Sequence, residues 1–83
     1  MYNVLKLVPG QRYRVIKAFT DYDRRVHPVG ETWIFEKTDF LPYDDGLTVY
    51  VVQDGEPVVY RLQWREEEQA GVINRFREFV EEE

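Results

Sequence analysis

A chain of 83 residues is one small domain, expected to bury roughly two-thirds of the area its unfolded form exposes. With 43% hydrophobic residues and an aromatic set of 2 Trp, 6 Tyr and 5 Phe it can build a packed core, which excludes a disordered chain despite 33% charged residues. The net charge of −5 opposes non-specific binding to nucleic acid or anionic membranes, and a sequence without Cys or Ser and with His27 as its one histidine excludes disulfides, thiolate metal sites and Ser-His-Asp or Cys-His catalysis.

Met1-Tyr2-Asn3-Val4 lacks the basic and then long apolar layout of a secretory signal, and no apolar run reaches the length that spans a bilayer, so a cytoplasmic location is expected. Charge is unevenly distributed. Residues 1–20 carry Lys6, Arg12, Arg14 and Lys17 without an acid, whereas residues 36–60 carry Glu36, Asp39, Asp44, Asp45, Asp54 and Glu56 against Lys37 alone. The first predicted strand covers about 11–19, with Tyr13 and Val15 inward and Arg12 and Arg14 on a solvated face. Its alternation breaks at Lys17, which predicts a bulge or a sharp bend. Because Tyr13 points inward, the basic face lacks the stacking platform that single-stranded nucleic acid needs.

The segment Thr20 to Val29 is long for a hairpin connection, and long ordered loops often carry function. Asp21, Asp23 and His27 offer oxygen and nitrogen groups for acid/base work or metal ligation. The plainer expectation, given more weight, is Asx-type bonding of both aspartates to loop backbone, pairing with Arg24 or Arg25, and a satisfied His27 before Pro28. A second strand is expected over about 31–37, after Gly30 and through Trp33 and Phe35.

Asp39 to Gly46 forms a second loop rich in aromatic and acidic groups, with a turn from Pro42 to Gly46. Phe40 is expected to be buried and Tyr43 exposed beside Asp44 and Asp45, a surface suited to a cationic or proline-containing partner. Strands over about 47–53 and 58–64 follow. Asp54-Gly55 between them is the preferred pair for a two-residue type I′ turn, so these strands are antiparallel neighbours. The first is apolar on both faces and therefore central.

After Trp64 the apolar period lengthens to that of a helix, predicted over about 66–81, with Ala70, Val72, Ile73, Phe76, Phe79 and Val80 on the core side. Gly71 within it points to a close approach, with Trp64 as the expected neighbour. The resulting fold class is mainly β (α+β): a small SH3-like, strongly bent antiparallel barrel of four to five strands with one C-terminal helix.

The runs Tyr13 to Asp23, His27-Pro28-Val29-Gly30-Glu31-Thr32-Trp33, Phe40 to Leu47, and Leu62-Gln63-Trp64 with Gln69 resemble a small bacterial family described as a domain of unknown function. The resemblance covers most of the chain and implies a bacterial, stand-alone domain with no assigned activity or cofactor. Arg24-Arg25 stands where that pattern leads one to expect a smaller turn residue.

The leading functional expectation is a non-enzymatic protein-binding module built on the 20–30 and 39–46 loops, with Tyr22, His27, Tyr43, Asp44 and Asp45 as its binding residues. It takes a protein or peptide partner and needs no cofactor. Alternatives are a small acidic immunity or inhibitor protein that masks a basic partner, and a metal-assisted hydrolase using Asp21, Asp23 and His27. A monomer or weak homodimer is expected, since the helix stripe is more useful as core than as an interface.

Overall fold

The computed structural model describes residues 4–41, 46–65 and 67–83. Among the described residues there are seven strands: β1 (Arg12–Val15), β2 (Phe19–Thr20), β3 (Val26–His27), β4 (Thr32–Leu41), β5 (Gly46–Gln53), β6 (Glu56–Gln63) and β7 (Val80–Glu82). A helix, α1 (Glu67–Asn74), and a 3-10 turn at Phe76–Glu78 lie between β6 and β7. Five strands form one antiparallel sheet in the order β6-β5-β4-β1-β7, and β2 with β3 makes a separate hairpin.

The mainly β, α+β class with a C-terminal helix is the architecture expected from the sequence. Closure is where the two differ, because no pairing joins β6 to β7 among the described residues and the sheet stays open. The backbone of the 20–30 segment meets the outer edge of β6 instead, Tyr22 N–H donating to the Arg61 carbonyl at 2.7 Å.

Local rules account for most elements. Asp54 and Gly55 both adopt positive φ, 53° and 78°, and Gln53 pairs with Glu56, the geometry of a type I′ hairpin. β5 is hydrogen-bonded on both sides and is central, as its two apolar faces require. The strand expected over 11–19 is divided: β1 ends at Val15, two residues before Lys17, where the alternation breaks. The chain then bends, and the N–H groups of Ile16 and Lys17 both donate to the Phe79 carbonyl before the chain re-enters extended structure at Phe19. β4 is long enough to bend, and its register against β5 shifts between Phe35 and Lys37.

The predicted helix over 66–81 is too long. Among the described residues only Glu67–Asn74 is α-helical, because the Phe79 carbonyl is taken by the bend after β1 and Val80 pairs with Val15 as a strand. Three glutamates at a helix C-terminus oppose the dipole, whereas here Glu81 forms an ion pair with Arg14 across the strands. Gly71 faces Arg75 rather than Trp64: a Cβ added there would lie 3.3 Å from Arg75 Nη2.

One face of the sheet is core. Trp33, Tyr13, Phe35 and Phe76 are its largest fully buried side chains, joined by Leu5 and Leu7 ahead of β1 and by Ile73, Phe79 and Val80. Each such side chain contributes about 1.5–3 kcal/mol of burial. Phe40 departs from expectation: it remains 41% exposed and meets Trp64 edge-on, 5.7 Å between centroids, at the end of the β4–β5 hairpin.

Candidate functional site

The 20–30 segment is organised around a buried cluster of charged and polar groups. Asp21 begins a tight turn in which its Oδ1 accepts from the N–H groups of Asp23 and Arg25, at 2.9 and 3.0 Å. This Asx-type bonding frees Oδ2 to face His27 Nε2 at 2.9 Å. The other ring nitrogen, Nδ1, faces Glu31 Oε2 at 2.7 Å, and the same Glu31 oxygen accepts from Trp33 Nε1 at 3.2 Å. Both imidazole nitrogens thus face a carboxylate, Asp21 on one side and Glu31 on the other.

The imidazole stacks on Phe19, 4.6 Å between centroids and 11° from parallel, and meets Tyr60 at 4.4 Å on its other flank. The Tyr60 hydroxyl is buried and has no hydrogen-bond partner among the described residues. Burial first, and then the Glu31 and Asp21 charges, push its phenol well above the ordinary value of 10.0.

This geometry revises three expectations. His27, proposed as a binding residue, is 6% exposed with both nitrogens engaged, so it pins the β2–β3 hairpin to the sheet and presents no surface. Asp23 does not join Asp21 and His27: its carboxylate turns outward to Arg61, with Oδ1 2.6 Å from Nη2, and that hydrogen bond holds Asp23 below the usual carboxylate range. An acid/base or metal-ligating set of Asp21, Asp23 and His27 is therefore not assembled. Arg24 and Arg25 make no ion pair with either aspartate; Arg61, distant in sequence, takes that role.

Tyr22 does reach the surface. It is 41% exposed, with the Arg61 guanidinium 5.9 Å from its ring centroid. Together with Gly46, Thr48, Leu62, Gln63 and Arg65 it lines a hollow of about 150 Å³. Gly46 is the first residue of β5, so the 20–30 segment and the start of β5 meet at this corner of the sheet. Tyr43, Asp44 and Asp45 lie outside the described residues. Beside this corner the outer sheet face carries Tyr50, with Lys37 Nζ 4.8 Å from its ring centroid, and Val59, which is 50% exposed. The Tyr50 phenol is raised by its hydrogen bond to Asp39, and burial adds to the shift.

Residues missed by sequence reasoning are Glu31, Tyr60, Arg61 and Gln69. Glu31 was hidden because a spacing of four from His27 carries no meaning outside a helix. Gln69 is buried, its Nε2 donating to the Thr20 carbonyl at 2.7 Å and its Oε1 accepting from Gln63 N–H at 3.3 Å. A glutamine on the apolar side of a predicted helix was the available signal.

The architecture defines a small α+β domain with an open antiparallel sheet, a pinned hairpin and one short helix. The chain belongs to the family described as a domain of unknown function, DUF3601, whose model matches residues 2–82. Among solved structures, an integron cassette protein from the mobile metagenome of Vibrio cholerae is similar to it, with 26% identity and a TM-score of 0.89 over 94% of this chain and 87% of that one. No curated protein matches.

Proposed function

We propose that this chain is a non-enzymatic binding module whose protein or peptide partner lands on the Tyr22 corner and the adjoining outer sheet face. The observation that carries the reading is a hollow that the 20–30 segment forms with the start of β5 and the end of β6, with an exposed tyrosine beside an arginine. Tyrosine and arginine are the residues that most often dominate interface energetics, because each supplies a large contact area together with a directional polar group. The buried Asp21–His27–Glu31 cluster supports this surface by fixing the turn from which Tyr22 projects. The partner's complementary groups are an aromatic or proline ring for Tyr22 and carboxylate or carbonyl oxygens beside Arg61.

The test is site-specific photocrosslinking in bacterial cells that make the protein. A crosslinking residue at position 22 should trap a discrete partner. One at Val29, which is 65% exposed in the turn after the hairpin, should not. Tyr22→Ala should abolish co-purification of that partner and leave the thermal melt nearly unchanged. Equal trapping at both positions, or none at 22, would refute the proposal; loss of fold in Tyr22→Ala would make the tyrosine structural instead.

A further inference from the structure

The core lies on one face of the five-stranded sheet, and the opposite face is not composed like a solvated one. Thr48, Tyr50 and Val52 alternate along β5 with the buried Leu47, Val49 and Val51, and so point away from the core. Ile34 on β4 and Pro57 and Val59 on β6 share that outer face, alternating with the buried Trp33, Phe35 and Tyr60. An antiparallel sheet with one face in water carries mostly polar residues there, whereas here Ile34, Tyr50 and Val52 are half-buried and Pro57 and Val59 exposed.

The strand register arranges this face symmetrically about β5. Val52 is flanked by Ile34 and Pro57, Tyr50 by Lys37 and Val59, and Thr48 by Asp39 and Arg61. In the last of these rows the β4 residue is an acid and the β6 residue a base. A twofold axis along β5, between two copies stacked outer face to outer face, lays β4 of each on β6 of the other. Asp39 then meets Arg61 of the second copy on both sides of the axis, and Ile34 meets Pro57. Lys37 already turns its ammonium to its own chain, 4.8 Å from the Tyr50 ring centroid and 4.0 Å from Asp39 Oδ2, which leaves its methylene stem toward Val59 of the second copy. Arg61 keeps Asp23 and Asp39 keeps Lys37, so each cross-copy contact joins two acids and two bases into a neutral network.

Resting on the binding-module reading, we propose that the occupant of the outer sheet face is a second copy of this chain. Tyr50 and Val52 lie at the centre of this isologous dimer, with an Asp39–Arg61 contact on each side. The face covers roughly 500 Å² per copy at ordinary strand and residue spacings, against about 800 Å² in a standard interface, which sets a weak association. The net charge of −5 on each copy weakens it further.

Sedimentation velocity of the whole chain in about 0.15 M salt, at concentrations up to about 1 mM, is the test, and a monomer–dimer equilibrium within that range is expected. Asp39→Lys and Arg61→Glu, each alone, set like charges against each other at both contacts and should raise the dissociation constant by about tenfold or more. An equimolar mixture of the two variants regains an acid–base pair at both contacts and should dimerise within a few-fold of the wild type. Val59→Lys, at a half-exposed position, brings a second ammonium against Lys37 and should abolish the dimer with the melting temperature unchanged. A wild-type chain that stays monomeric throughout, a Val59→Lys dimer as tight as the wild type, or a mixture of folded variants that fails to recover would each overturn the proposal. If the monomeric chain still traps a different protein at position 22, only the second copy is removed as occupant; if it traps nothing, the binding-module reading falls with it.

Discussion

Replacing His27 with Phe tests whether the buried cluster holds the hairpin. The flat ring keeps its stack on Phe19, but both nitrogen contacts vanish. Asp21, whose side chain is 0% exposed, and Glu31, at 16%, are then left facing an apolar edge. Two hydrogen bonds to charged groups at about 1.5–3 kcal/mol each set the scale of the loss. Removing one partner of a buried ion pair gives an overlapping figure of about 3–5 kcal/mol. Asp21 keeps its two backbone donors, which places the expected cost toward the lower end, about 3 kcal/mol. A domain of this length has about 4–12 kcal/mol in total, so the variant should lose a quarter or more of its stability. Urea unfolding followed by tryptophan fluorescence measures it, with Trp33 bonded directly to the cluster through Glu31. In the His27→Phe background, Glu31→Gln should cost less than in the wild type, because the stranded carboxylate is neutralised. A single variant within about 1 kcal/mol of wild type would refute the account of the cluster as the hairpin's anchor.

Arg24 has a φ of 68°, a left-handed conformation that disfavours a residue with a Cβ, so Arg24→Gly should stabilise the domain by about 0.5–1 kcal/mol, read as a rise in the urea midpoint. The raised Tyr60 phenol sets an alkaline limit: the folded chain retains a proton that the unfolded chain releases. Its contribution is fully present below the ordinary value of 10.0 and is lost as pH rises toward the folded value. Tyr60→Phe should flatten the alkaline fall in melting temperature, and an identical fall in both proteins would show that another group controls it.

What was legible in the sequence was whatever depends on neighbours in the chain. The Asp54-Gly55 turn, the centrality of β5 and the bend at Lys17 each follow from local φ demands or from alternation. The helix was overextended because Phe76, Phe79 and Val80 keep a helical spacing, and only the pairing of Val80 with Val15, across the whole domain, decides that the chain straightens there. The site divides in the same way. Tyr22, singled out from its loop's composition, is exposed, and Asp21 follows from its habit of bonding nearby backbone. His27 was mistaken for a surface group because its two partners are brought to it by separate segments, Asp21 from β2's exit and Glu31 from the entry to β4. Arg61 looked like an ordinary outward residue of a strand until the 20–30 segment folded over it.

β7 is three residues long, yet it decides what β1 is. While Val80–Glu82 is paired, β1 is an interior strand; if those residues detach, the N–H and C=O groups of a four-residue strand stand open to any other chain. The contact that prevents this, Tyr13 with Glu82, joins residues from opposite ends of the described chain and is among the slowest kinds of contact to form. Resistance to association during folding therefore rests on a short acidic segment whose Glu81 is drawn to Arg14 on that edge. A chain with those charges neutralised would fold to the same sheet, but would leave the β1 edge uncovered for longer, because Arg14 no longer draws Glu81 onto it.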